Sequence, residues 1–405
     1  MKPELLSPVG DMERLESALC FGADAVYLGG TEFGMRAAVA KFDFETLKIA
    51  AQKVHEKGKR VYLTCNTLPT NSEMDRMEEY LKNAVACNVD AFIVSDVGVL
   101  SLLKKVAPEA EVHISTQAGI VNYASANAFY DMGATRVVLA RELSFDDIRT
   151  IRDKTNPKLE IETFVHGAMC MSFSGRCTIS NYLNHRDANR GECSQPCRWQ
   201  YYLMEQKRPG EYFPVFEEKE GTYILNSKDL CMIEYIDKLC EAGISSLKIE
   251  GRAKSSYYVA VVTNAYRHAI DYYFENGKMP KADDAWMLEE VYKVSHREYT
   301  TGFYFGRPPE GQCYQSGGYV RNFDIVGLVD NCDNGRIYFT SKNGVRVGES
   351  VEIMPPDRKP FEITVTELYD EEAREFVDFA NHPMGSYSFA CKTQIPKGSM
   401  IRIQK

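Results

Sequence analysis

The sequence predicts an α/β protein: a TIM-type (β/α)8 barrel with a Cys-rich insertion between strands 7 and 8, followed by a small C-terminal antiparallel β-barrel. Three observations lead there. Short apolar runs alternate with amphipathic helical stretches for about 250 residues, the pattern of repeated βα units around a parallel sheet. The apolar runs number eight. From about Phe323 the pattern changes to short alternating strands broken by turn signals.

The expected strands are Glu4 to Val9, Ala25 to Gly30, Arg60 to Asn66, Ala91 to Asp96, Glu111 to Gln117, Arg136 to Ala140, Leu159 to Val165 and Ser246 to Gly251. Between them, Phe44, Leu47, Ala51 and Val54 share a helical face after Asp43. Met74, Met77, Leu81 and Ala84 share another after Ser72, the expected N-cap. No G-x-G-x-x-G follows any predicted strand, and GGTEFG after the second has the wrong spacing, so an open dinucleotide-binding sheet is disfavoured.

A barrel of this kind builds its site from loops leaving the carboxyl ends of its strands. Polar residues gather at those ends: Ser7 and Asp11, Asn66, Ser95 and Asp96, Ser115 and Gln117, Arg141 and Glu142, Glu162 and His166, and Glu250 with Arg252. The insertion, 167–230, leaves the seventh strand on this face, and a loop of that length normally has a function. After the eighth strand, a closing helix ends near Asn276 and Gly277, and a second helix is expected over Asp283 to Ser295. The domains are therefore 1–277 (barrel), 278–322 (linker helix and extended arm) and 323–405 (small β-barrel), the last punctuated by DNG at 333–335, KNG at 342–344 and PPD at 355–357.

With 405 residues, 44% of them hydrophobic, the chain can bury a substantial core. The N-terminus MKPELLSPVGDMERLE lacks an apolar run followed by a cleavage site, and no stretch of about eighteen apolar residues occurs, so a cytoplasmic location without membrane attachment is expected. A net charge of -9 argues against broad, non-specific attachment to a phosphate backbone. A local basic patch remains open: His185, Arg186, Arg190, Arg198, Lys207 and Arg208 bracket the insertion's cysteines, with Asp187, Glu192 and Glu205 among them. Twelve cysteines in a reducing compartment are not expected to form disulfides; Cys20, Cys65, Cys87 and Cys240 read as buried thiols.

The strongest chemical signal is Cys170, Cys177, Cys193 and Cys197 in FVHGAMCMSFSGRCTISNYLNHRDANRGECSQPCRW. Four thiolates satisfy either an iron-sulfur cluster or zinc. The gaps C-x(6)-C and C-x(3)-C lack the paired C-x-x-C of zinc ribbons, and the C-x(3)-C-x(2)-C triplet of radical S-adenosylmethionine enzymes is missing as well. Cys231, in NSKDLC, is a fifth candidate that could replace Cys197. His166 and Cys170, four apart, could face each other on a helical turn as an imidazole-thiol pair, the best peptidase-like feature of the chain. Arg36 in GMRA, with Arg252 and Lys254 in KIEGRAK, would suit a small carboxylate or phosphate at the barrel mouth.

The run ETFVHGAMCMSFSGRCTIS, continuing through NHRDANRGECSQPCRW, NSKDL and SLKIEGRAKS, resembles the signature of the collagenase-like peptidase family of unknown catalytic type, over nearly the whole chain. The resemblance implies an N-terminal barrel, a C-terminal β-barrel, and a four-iron four-sulfur cluster on Cys170, Cys177, Cys193 and Cys197. It also divides the function. Some members are regarded as collagenase-like proteases; other branches carry out oxygen-independent hydroxylation of tRNA wobble uridine using prephenate, of ribosomal RNA cytidine, or of ubiquinone precursors. The cysteine spacing, followed by RW and a C-terminal domain, is most similar to the tRNA branch. The expectation is an iron-sulfur-dependent, prephenate-dependent enzyme forming 5-hydroxyuridine in tRNA. Its expected partners are tRNA, a small carboxylate metabolite and the iron-sulfur assembly machinery. His166, Glu250 and Arg252 are its catalytic candidates, and Arg36, Lys254 and Asn66 its substrate-binding ones. A peptidase and a non-catalytic RNA-modification factor with a structural metal are the alternatives.

Overall fold

Eight parallel strands close on themselves in the computed structural model, which describes residues 2–35, 41–170, 172–173, 176–188, 191–198, 217–218, 221–222, 227–306 and 319–405. They are β1 (Glu4–Pro8), β2 (Ala25–Gly29), β3 (Arg60–Cys65), β4 (Ala91–Val94), β5 (Glu111–Ile114), β6 (Arg136–Val138), β7 (Glu160–Ala168) and β8 (Ser246–Ile249). Each pairs with the next, and β8 closes the cylinder by pairing with both β7 and β1. All eight expected strands are present. Alternation assigns their faces: Leu5, Val26, Leu28, Val61 and Leu63 pack outward into the large core under the helices, while Leu6, Ala25, Tyr27, Tyr62, Ala91 and Ile93 form a separate cluster inside the barrel.

The covering helices are α1 (Met12–Cys20), α2 (Phe44–Glu56), α3 (Asn71–Ala86), α4 (Val97–Val106), α5 (Tyr123–Asp131), α6 (Phe145–Lys154), α7 (Ile236–Glu241) and the closing α8 (Ser256–Asn276). Asp43 caps α2 as its sequence indicates, accepting from the Thr46 amide. The cap of α3 is Thr70 and not Ser72, because Thr70 and Glu73 form a reciprocal capping box that starts the helix earlier. Gly277, at φ 66°, ends α8 in the left-handed conformation. The helix expected over Asp283 to Ser295 is broken into a 3-10 turn (Ala282–Ala285), a short α-helix (Trp286–Glu290) and another 3-10 turn (Val291–Lys293). Val291, Tyr292 and Val294, β-branched or aromatic, have little preference for continuing a helix there.

Strand β7 runs three residues past its expected end at Val165. The reason is non-local: a short strand, Asp229–Cys231, comes back antiparallel against it, placing Asp229, Leu230 and Cys231 opposite Ala168, Gly167 and His166. Gly167 is required at this crossing, since its φ is 109° and a Cβ would lie 2.6 Å from the Glu250 carbonyl oxygen.

The C-terminal unit begins at Phe323 and is an antiparallel sheet curled around its own core of Val326, Phe339, Ile353 and Phe389. Its principal strands are β9 (Phe323–Asp333), β10 (Arg336–Ser341), β11 (Ser350–Met354), β12 (Phe361–Thr364), β13 (Ser386–Ala390) and β14 (Met400–Gln404). Asn334 and Gly335, both at positive φ, make the tight β9–β10 turn. The unit is held to the barrel by a buried ion cluster: Arg402, fully buried on β14, reaches Glu290 at 2.7 Å and Glu352 at 2.6 Å, and Lys293 meets Glu352 at 2.8 Å. Met354 and Met400 of this unit pack into the main core. Among the described residues, no helix is long and apolar enough to cross a membrane.

Candidate functional site

Inside the barrel, side chains that alternate inward from four strands form a chain of charge. Arg136 on β6 bonds to Glu4 on β1 at 2.7 Å and to Glu162 on β7 at 3.0 Å, and Lys248 on β8 donates to the other oxygen of Glu162 at 2.7 Å. Glu162 is fully buried; burial alone would raise its pKa, but Lys248 and Arg136 bring it down to about 2. The chain runs upward from Glu4 at the start of β1 and ends at Lys248, whose side chain forms part of the floor of a pocket.

That pocket opens at the carboxyl ends of the strands and encloses about 1410 Å3 of empty space, mouth included. Tyr27, Ile93, Val138 and Phe164 supply an apolar lower wall. Arg252, only 8% exposed, is fixed by hydrogen bonds to Thr64 Oγ1 at 2.9 Å and to the Met35 carbonyl. Asn66 accepts from the Met35 amide at 3.0 Å and donates to Ser115 Oγ at 3.3 Å. Arg141 lies over the Phe164 ring at 3.8 Å, donates to the Ala168 carbonyl at 2.7 Å and faces the Glu250 carboxylate at 3.8 Å. Tyr27 Oη also reaches Glu250, at 3.5 Å.

The insertion forms the upper wall. Cys170, Cys177, Cys193 and Cys197 all line this one pocket, together with Asn66, Glu250 and Arg252. Cys170 opens to solvent at the lip, yet the surrounding protein raises its thiol pKa; Arg141 opposes the rise, and the Cys177 and Cys193 thiols add to it. Arg176 fastens the loop to the barrel by donating to the Gln117 carbonyl at 2.8 Å. Among the described residues, no three His, Cys, Asp or Glu side chains are drawn into metal-binding geometry. The four thiols of one wall are nonetheless the soft donor set that an iron-sulfur cluster or zinc takes.

Three expected site residues lie elsewhere. His166 does not line the pocket: it is 1% exposed, bounded by the rings of Tyr258, Tyr266 and Tyr299, and burial pushes its pKa down to about 3. The expected facing of His166 and Cys170 assumed a helical turn, whereas the backbone is extended through Ala168. Lys254 lies outside as well, over the rings of Tyr258 and Tyr319, with its ammonium 3.4 Å from the Ser295 carbonyl. Cys231 pairs opposite His166 on the outer strand and, unlike Cys197, is not among the residues that line the pocket. Arg36, Arg190, Glu205, Lys207 and Arg208 lie outside the described residues, as does the side chain of Arg198. Two cations of the pocket were not selected as site residues from the sequence. Arg141 was visible only as one polar strand end among many, and the signal for Lys248 was its place between Leu247 and Ile249, the inward position of a period-2 strand.

Comparison with known proteins places this geometry. Residues 10–313 match the model of peptidase family U32, and residues 321–402 match that of the peptidase family U32 C-terminal domain. The chain is 38% identical over 404 residues to tRNA hydroxylation protein P1 of Bacillus subtilis (strain 168), covering 99% of this chain and 94% of the relative. It is 38% identical over 397 residues to tRNA hydroxylation protein P of Escherichia coli (strain K12), covering 88% of this chain and 86% of that one. It is also 37% identical over 314 residues to a protein named collagenase from Porphyromonas gingivalis (strain ATCC BAA-308 / W83), covering 75% and 74% of the two chains.

Proposed function

The chain belongs to peptidase family U32, and on that premise we propose that it is an RNA-modifying hydroxylase that forms 5-hydroxyuridine at the wobble position of tRNA, with prephenate as a co-substrate. The reading is supported by the near full-length similarity to tRNA hydroxylation proteins. The observation that carries it is the convergence of four cysteines with Arg252, Asn66 and Glu250 on one pocket at the barrel mouth.

In this reading Cys170, Cys177, Cys193 and Cys197 hold a four-iron four-sulfur cluster, acquired from the cell's iron-sulfur assembly machinery in the cytoplasm. When bound, the cluster supplies redox or Lewis-acid chemistry. The protein's own residues bind and orient. Arg252, held rigid by Thr64, presents its guanidinium to a carboxylate of the metabolite. Asn66, fixed by Met35 and Ser115, holds the wall beside it. Glu250, between Arg141 and Tyr27, is the carboxylate placed to accept a proton in the pocket.

A peptidase on this fold needs an activated nucleophile beside a base. His166, the base that reading depends on, stands behind the wall in a cage of tyrosines. The decisive experiment is mass spectrometry of tRNA nucleosides from a strain lacking this protein. Loss of hydroxyuridine, restored by the wild-type chain, is expected; an unchanged nucleoside profile removes the assignment.

A further inference from the structure

We propose that Lys248 is the specificity-determining residue of the pocket, binding an anionic oxygen of a small carboxylate at its floor while Arg252 holds the ligand from the side. The inference rests on the reading of this pocket as the site of a carboxylate co-substrate, and it names the group that selects such a ligand.

Three observations converge on Lys248. It is only 4% exposed, yet it lines the pocket, so what little surface it has faces the cavity. Its ammonium carries three donors, and Glu162, at 2.7 Å, is the acceptor it meets among the described residues. Glu162 holds the ammonium from below, shared with Arg136, which Glu4 and Glu160 also engage, so Lys248 is kept as a cation and its remaining donors are directed at the cavity. Glu250, a carboxylate of the same pocket, faces Arg141 at 3.8 Å, while the Tyr27 hydroxyl beside it donates to the Ile249 carbonyl at 2.9 Å.

The walls around the ammonium indicate the rest of the ligand. The Tyr27 ring lies 4.4 Å from Nζ and the Phe164 ring 5.4 Å away. A charge among rings and away from bulk water interacts strongly with an arriving anion, and the rings accept an apolar or cyclic body attached to it. A neutral analogue of the same shape would offer the ammonium's remaining donors no anionic acceptor, which is how a site of this kind rejects it. Nothing comparable holds for Lys254, which lies outside the pocket.

The test is calorimetric titration of prephenate into the anaerobically purified full chain, with Lys248→Met and Lys248→Arg beside the wild type and thermal melting to verify folding. Truncating one partner of a desolvated charge pair predicts that Lys248→Met weakens binding roughly 30-fold or more. Lys248→Arg, which keeps the charge, is expected to recover most of that loss. On the wild-type protein, prephenate should slow reductive methylation of Lys248, read by peptide mass spectrometry, and leave Lys254 unaffected. That measurement decides the matter if the variants do not fold. Binding to Lys248→Met within about twofold of wild type, or unchanged methylation of Lys248, overturns the proposal. So does a wild-type protein that does not bind prephenate, an outcome separable from the RNA assignment, which the nucleoside profile reads independently.

Discussion

Glu162→Gln is the perturbation whose size the structure fixes most directly. The carboxylate is fully buried and joins Lys248 to Arg136. Arg136 keeps Glu4 and Glu160 after the substitution, but Lys248 loses its charged partner inside the barrel. Breaking a buried pair by removing one member costs about 3–5 kcal/mol. The pKa gives a second measure: a fall from 4.5 to about 2 corresponds to about 3 kcal/mol at 1.36 kcal/mol per unit. Because the folded value is depressed, this stability is fully present above the unfolded value near 4.5 and is lost as pH falls toward about 2. Urea unfolding at pH 7 should therefore show Glu162→Gln weakened by about 3 kcal/mol, with the gap to wild type closing on acidification below pH 5. Adding Lys248→Met should recover part of the loss, since it removes the orphaned charge. A single-variant loss under about 1 kcal/mol, a gap that does not change with pH, or strictly additive losses in the double variant would refute the chain-of-charge argument.

Other consequences follow from particular contacts. Anaerobically purified protein should contain iron and acid-labile sulfide, with both lost in Cys170→Ala or Cys193→Ala and kept in Cys231→Ala; a colourless, iron-free wild type contradicts the cluster. His166→Gln should leave tRNA hydroxylation largely intact, and with its pKa near 3, His166 should contribute no inflection to a pH-rate profile above pH 5. Thr70→Ala, which opens the capping box of α3, should cost about 1 kcal/mol in urea unfolding. Arg402→Met leaves Lys293, among the described residues, as the one cation against both Glu290 and Glu352 and should cost about 3 kcal/mol, read as earlier protease cleavage between the barrel and the C-terminal unit.

Much of the site was legible because some of its determinants are local. Asn66, Glu250 and Arg252 follow apolar runs at strand ends, and a barrel turns that one-dimensional fact into a shared face. The cysteines were legible for a different reason: four thiols in one loop are the donor set that an iron-sulfur cluster or zinc takes, a pattern readable along the chain without any tertiary contact. His166 misled because its spacing from Cys170 fits a helix only if the segment is helical, and a strand arriving from Asp229–Cys231 keeps it extended. Lys254 misled because two residues beyond the pocket-facing Arg252 the chain has already turned toward α8, carrying the side chain onto Tyr258 and Tyr319.

Periodicity, turn residues and cysteine spacing by themselves determined the eight-stranded barrel, the change to antiparallel strands after it and the loop in which to look for the site, since each depends on neighbours along the chain. Only the tertiary structure decided which cations share the pocket. Lys248 and Arg141 enter it because closure of β8 onto β7 and β1 brings together charges separated by up to 244 positions, as Glu4 and Lys248 are. Burial, which sets both the worth of a charge and its pKa, is a property of that closed cylinder and of no segment within it.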